Sequence, residues 1–187
     1  MSLSKINTRN LFPRILESCR VCDTCCKTYG WLLKKEAKKF IKKKYPVIKI
    51  NNVLFCIDSF KRDKRENLIL GEIPRCRFYG KRECLIQKDK PLDCKLFPIK
   101  LRFYNDFCVL GLSLGCKYVS SLNEKERKNI CQKTIKFIKK MRNSDLDEYI
   151  NLMQEVSSIS QPKKFWMKKL IGLKKEGNSW KIINLFA

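Results

Sequence analysis

The chain has 187 residues, 44% of them apolar and 32% charged, with 42 Lys and Arg against 18 Asp and Glu, a formal net charge of +24. That length suits one domain with a real core, and the ordinary apolar share argues against intrinsic disorder despite the charge. Histidine is absent while cysteine numbers eleven, which excludes Cys/His zinc fingers and His-ligated hydrolytic zinc sites.

Residues 1–18 carry no apolar stretch of secretory length, so no signal peptide is expected. No run approaches the roughly 20 apolar residues of a membrane span, so no transmembrane segment is expected either. A cytoplasmic, reducing location follows, and there cysteines serve as thiols or metal ligands more often than as disulfides. The odd cysteine count agrees, since full pairing leaves one thiol over.

Four cysteines then stand within eight residues: Cys19, Cys22, Cys25 and Cys26, spelling C-x-x-C-x-x-C-C. Side chains at i and i+3 converge on one metal, and repeating the step brings three thiolates together. With no imidazole available, the candidate groups are an all-thiolate zinc site or an iron–sulfur cluster. Cys25 and Cys26 are adjacent and are expected to point apart, one serving a first site and the other a second site or the core.

Downstream, Trp31–Leu33 reads as a short strand. Ala37, Phe40, Ile41 and Tyr45 at spacings of three and four predict an amphipathic helix from about Lys35, ended by Pro46. VIKI (47–50) and VLFCI (53–57) around Asn51-Asn52 predict a hairpin. NLILGEI (67–73) is a further strand candidate, with the charged stretch 61–66 as a loop. Residues 74–98 hold Cys76, Cys84 and Cys94 with three prolines and a glycine, the look of irregular chain ordered around a metal. IKLRFY (99–104) and FCVLGL (107–112) predict a second hairpin, and Cys116 follows it.

Ser121 and Glu124 fit a capping box opening a helix to about Arg142. Ser144–Asp147 predicts the start of a second, giving a helical hairpin. Pro162 predicts a short basic helix, KKFWMKKLI, closed by Gly172, and WKIINLF a last strand. The expected class is α+β: a small, metal-organised, cysteine-rich domain over 1–187. Its core is 19–116, with short β-hairpins, and 121–187 is a helical C-terminal extension.

Cys19, Cys22, Cys25, Cys26, Cys76, Cys84, Cys94 and Cys116 are the candidate metal ligands, enough for two four-thiolate sites or one cluster with spare thiols. Cys56, Cys108 and Cys131 lie in apolar strands or beside a helix stripe and read as buried hydrophobes. The lysine excess is spread along the chain and reads first as a solvated surface. Its functional counterpart is non-specific nucleic-acid binding at low salt.

The run CRVCDTCC, followed by Cys76-RFYGKRE-Cys84-LIQKDKPLD-Cys94-KLFP98, resembles the YkgJ-like cysteine-cluster family of zinc- or iron-chelating domains. Ile86 and Gln87 stand at the family's I-Y positions and Lys90-Pro91 at its R-P. Lys95 replaces its arginine, and Phe97-Pro98 matches. The resemblance covers about residues 19–116. The candidate group is a [4Fe–4S] cluster in a structural or electron-transfer role, or Zn2+ in a structural module with a protein partner or an RNA partner drawn by the lysine-rich charge and the basic aromatic run Lys163–Lys169; the resemblance implies metal binding. It also implies an iron–sulfur oxidoreductase by analogy, with an unidentified protein or redox partner. A similar cluster occurs in flagellin lysine N-methylases, but no glycine-rich turn for S-adenosylmethionine is present here.

Overall fold

The computed structural model describes residues 30–57, 64–65, 76–80, 83–104, 107–159 and 167–185. The expected strand at 67–73, and most of the loop before it, lie outside the described residues. The chain is α+β, with short antiparallel sheets and helices, and it divides into two compact units. One comprises 19–97 with 148–163, and the other 1–18, 98–147 and 164–187. The expected cysteine core at 19–116 thus contributes to both.

In the first unit, β1 (Trp31–Leu32), β2 (Ile48–Ile50) and β3 (Val53–Phe55) form a three-stranded sheet in the order β1-β3-β2. The hairpin at Asn51-Asn52 is as expected: Asn51 takes φ 52°, which asparagine tolerates better than most residues. Helix α1 (Lys34–Lys42) buries Ala37 and Phe40. It stops at Lys43, and Lys44 adopts φ 56° just before Pro46. The two-residue strands β4 (Tyr79–Gly80) and β5 (Glu83–Cys84) pair, and α2 (Leu92–Leu96) follows.

Leu32, Ala37, Phe40, Cys56, Phe78 and Ile86 form the core of this unit, with Tyr45, Val47, Leu54, Cys76 and Cys84 packed against it. Phe40, Tyr45 and Phe78 meet edge to face, with centroids 5.3, 6.2 and 5.2 Å apart. Phe78 lies two residues after Cys76, so this trio holds the cysteine-bearing hairpin to the end of α1.

In the second unit, β6 (Ile99–Tyr104), β7 (Phe107–Ser113), β8 (Met167–Glu176) and β9 (Ser179–Asn184) make an antiparallel sheet in sequential order. Strand β7 is buried along nearly its whole length, as an interior strand with both faces covered is. The ladder shifts at Leu110/Gly111, where Leu170 of β8 is the extra residue of a bulge. Its carbonyl accepts the Leu185 N–H at 3.1 Å and the Cys131 thiol at 3.5 Å. Helices α3 (Lys117–Ser121), α4 (Glu124–Lys140) and α5 (Asn143–Ile159) complete the order. The first turn of α5 belongs to the second unit and the rest to the first.

Two local expectations are corrected. The helix expected over 162–171 is β8 from Met167 onward, so the C-terminal stretch ends in a β-ribbon rather than continuing helical. Ile171 is β-branched, Gly172 is a weak helix former, and the lysines do not leave one apolar face. The cap of α4 is Asn123, not Ser121. Asn123 Oδ1 accepts the Glu126 N–H, and the Asn123 N–H donates to Glu126 Oε2, each at 2.9 Å. Ser121 closes α3 instead, its hydroxyl donating to the Tyr118 carbonyl at 2.8 Å.

Candidate metal centre

Gly30 is the point where described thiols meet. The Cys56 N–H donates to the Gly30 carbonyl at 2.9 Å, and the Cys56 thiol donates to the same oxygen at 3.2 Å. Cys94, on α2, hydrogen-bonds Cys56 through its own thiol. A Cβ placed on Gly30 would stand 2.8 Å from Cys94 Sγ and 3.0 Å from Cys56 Sγ. Only glycine lets the backbone approach both sulfurs this closely. The hydrogen bond to Cys56, then burial of the sulfur, push the Cys94 thiol well above its ordinary range.

The elements bearing these sulfurs are tied together by Glu36. Its carboxylate accepts the Leu33 N–H at 3.1 Å at the start of α1 and the Leu92 N–H at 2.8 Å at the start of α2. One acid thus serves orphan donors at two helix ends, one of them two residues before Cys94. Burial raises the Glu36 pKa, outweighing the two backbone hydrogen bonds that lower it. Beside it, burial holds the Tyr149 phenol strongly neutral, with the charges of Asp93, Cys94 and Glu36 adding to the effect. Tyr149 tilts against Trp31 at 6.5 Å between centroids. The Trp31 indole N–H, next in sequence to Gly30, is buried with no hydrogen-bond partner among the described residues.

Cys84 sits on β5 opposite Tyr79, and the Tyr79 N–H donates to the Cys76 carbonyl at 2.8 Å. Both cysteines are half-buried against the core that contains Cys56. The turn after Cys84 is anchored by Asp89, which pairs with Lys39 at 2.5 Å and with Lys43. Burial acts to raise its pKa, but the hydrogen bonds from the two lysines outweigh it and hold Asp89 below the usual carboxylate range.

The predicted ligands therefore divide as follows. Cys76, Cys84 and Cys94 share the first unit, and Cys94 is joined to Cys56, which sequence reasoning assigned to the core. Cys116 belongs to the other unit, buried at the start of α3. Cys19, Cys22, Cys25 and Cys26 lie outside the described residues. Among the described residues, no group of three or more cysteine, aspartate or glutamate side chains is arranged to hold a metal ion. No disulfide joins the described cysteines.

Cys108 and Cys131 keep the role read from sequence. Burial raises both thiols, Cys108 to about 11, and no charge or thiol among the described residues contributes. The signal that marked Cys56 as different was available only as proximity, since VLFCI reads like any apolar strand. No helix among the described residues is long and apolar enough to cross a membrane. No protein-family model, curated protein or solved structure matches the chain.

Proposed function

We propose that this chain is a cytoplasmic metal-binding protein of the YkgJ-like cysteine-cluster type whose thiolates hold a [4Fe–4S] cluster in a structural or electron-transfer role. One observation carries the reading. The paired thiols of Cys56 and Cys94 close on Gly30, and Gly30 follows Cys26 by four residues. An extended backbone spans at most about 14 Å over that interval. Chain length alone therefore keeps the last cysteine of the motif within that distance of Gly30.

The residues present suit such a group. The donors are soft, imidazole is absent from the whole chain, and the buried indole N–H of Trp31, the residue after Gly30, has no acceptor among the described residues. Hydrogen bonds to cluster sulfur are a recognised means of tuning potential. Cys19, Cys22 and Cys25, with Cys94 as the remote thiolate, are the donors proposed to hold the cluster. Cys76 and Cys84 are further candidate donors of the same unit. When bound, the cluster supplies a one-electron carrier and a cross-link between distant parts of the chain.

The residues themselves do the remaining work. Gly30 admits the two sulfurs, Glu36 fixes the start of the helix bearing Cys94, and the aromatic trio fixes the hairpin bearing Cys76 and Cys84. Thiols protonated without metal must release their protons on loading, so loading weakens as pH falls. The test is substitution within the motif. Cys22→Ala with Cys25→Ala should abolish iron and sulfide retention in anaerobically purified protein, while Cys131→Ala should retain both. Equal retention in the double variant and in Cys131→Ala would reject the motif as the metal site. Zinc in place of iron and sulfide would keep the thiolate site but replace the cluster with a structural metal.

A further inference from the structure

We infer that the outer face of helix α1 is a docking surface for the phosphate backbone of a single-stranded nucleic acid, a function independent of the metal group. Eight of the sixteen residues from Lys34 to Lys49 are lysine and one, Glu36, is acidic. In the sequence this run is part of a lysine excess spread along the whole chain, but the fold sorts it by face. Ala37 and Phe40 are buried, and the Glu36 carboxylate is spent on the Leu33 and Leu92 N–H groups. Lys39 and Lys43 pair with Asp89. Lys34, Lys38 and Lys42 remain, four residues apart and all exposed, and none of their ammonium groups pairs with a carboxylate among the described residues. Glu148 accepts the Lys34 N–H at 2.6 Å, which engages the helix end rather than the ammonium. Lys44 and Lys49, beyond the helix, are exposed as well.

Successive members of this row stand about 6 Å apart along the axis. Phosphates follow one another along a nucleic-acid strand on the same scale, and the flexible lysine stems take up the difference. Ile41 lies one turn from Lys38 and is 62% exposed, so the row also offers an apolar contact to a sugar or base.

Helix α4 supplies the comparison within the molecule. It exposes Lys128, Lys136 and Lys140, but Gln132 interrupts their four-residue row. Glu124 and Glu126 occupy its first turn, and it exposes no large apolar side chain. An anionic membrane suits α1 less well than a strand of phosphates. A helix lying in the interface buries a broad apolar face among the headgroups, and the apolar face of α1 is already buried in the core of its own unit.

The experiment measures binding of a labelled single-stranded RNA to anaerobically purified full-length protein over a series of salt concentrations. Wild type is compared with Lys34→Gln/Lys38→Gln/Lys42→Gln and with a control of the same net charge, Lys128→Gln/Lys136→Gln/Lys140→Gln. Glutamine keeps a helix propensity close to that of lysine. Loss of three phosphate contacts should lower the slope of log Kobs against log salt by about 2 in the α1 variant, with binding about tenfold weaker at low salt. The α4 control should keep the wild-type slope and affinity. Arginine at positions 34, 38 and 42 preserves the charge and should restore binding, which separates lost contacts from a disturbed fold. Equal losses in the two glutamine variants would reduce the binding to net charge and overturn the inference, as would a wild type that binds no RNA at low salt. Co-sedimentation with phosphatidylserine vesicles that the α1 variant loses, with its RNA binding unchanged, would overturn it in favour of a membrane surface. Iron, sulfide and zinc content enters none of these results, so failure here leaves the metal-binding reading standing, and a chain without metal leaves this surface standing.

Discussion

At the scale of single residues, Gly30 and Glu36 govern how the thiols are held. Gly30→Ala forces a Cβ into the space of two sulfurs, 2.8 and 3.0 Å away. Overpacking of this kind costs roughly 1–3 kcal/mol, and urea denaturation of the variant should show that loss with an unchanged slope. Glu36 makes a prediction about pH. Its pKa in the folded state is raised above 4.5, chiefly by burial, so between those two values the folded protein binds more protons than the unfolded chain. Its contribution is therefore fully present below about pH 4.5 and is lost as pH rises through the folded pKa. Glu36→Gln should flatten this segment of the stability–pH curve, and denaturation midpoints measured from about pH 4 to about pH 7 test it. An unchanged slope would show that Glu36 titrates normally. The spacing before Phe97-Pro98 singled out Cys94 in the sequence, and the fold sets its sulfur beside that of Cys56. Cys56 was not legible, because a thiol in an apolar strand has the same local sequence whether it fills a core or faces another sulfur.

At the scale of elements, the hairpins around Asn51 and between β6 and β7 follow from turn residues flanked by β-rich runs, and both were readable. The misread element is β8. Basic and aromatic residues at mixed spacing invite a helix, yet Glu176-Gly177-Asn178-Ser179 contains a Gly-Asn turn signal that fits two strands. Gly177 takes φ +59° there, with open space around a would-be Cβ. Gly177→Ala should thus cost about 1 kcal/mol through backbone strain alone, with no steric clash. Thermal denaturation of the full chain checks it, and a neutral substitution would argue against the tight turn. The cap of α4 slid two residues from its expected position for a comparable reason. Ser121 and Asn123 are both good caps, and a short preceding helix claimed the serine. Phe78→Ala removes one ring of the trio that holds the Cys76–Cys84 hairpin. A large loss, about 3–5 kcal/mol, is expected for an aromatic core truncation. Chemical denaturation should report it together with weakened metal retention.

At the scale of the molecule, the α+β class was legible from alternating hairpin and helix signals. The division into two units was not, because helix α5 and the C-terminal ribbon return to different units and no linker composition marks the exchange. If the metal is held by thiols of the unit containing 19–97, its removal should act there first. Hydrogen exchange after anaerobic chelation is expected to lose protection around β1, β3 and α2 while the β6–β9 sheet keeps most of its own. Uniform loss across both units would assign the metal a global role instead. The measurement that bears most directly on the account is the content of iron, acid-labile sulfide and zinc per chain in protein purified without oxygen. The account predicts iron and sulfide in equal amounts, held by cysteine thiolates. A fully reduced, folded chain that contains no iron, sulfide or zinc would contradict it.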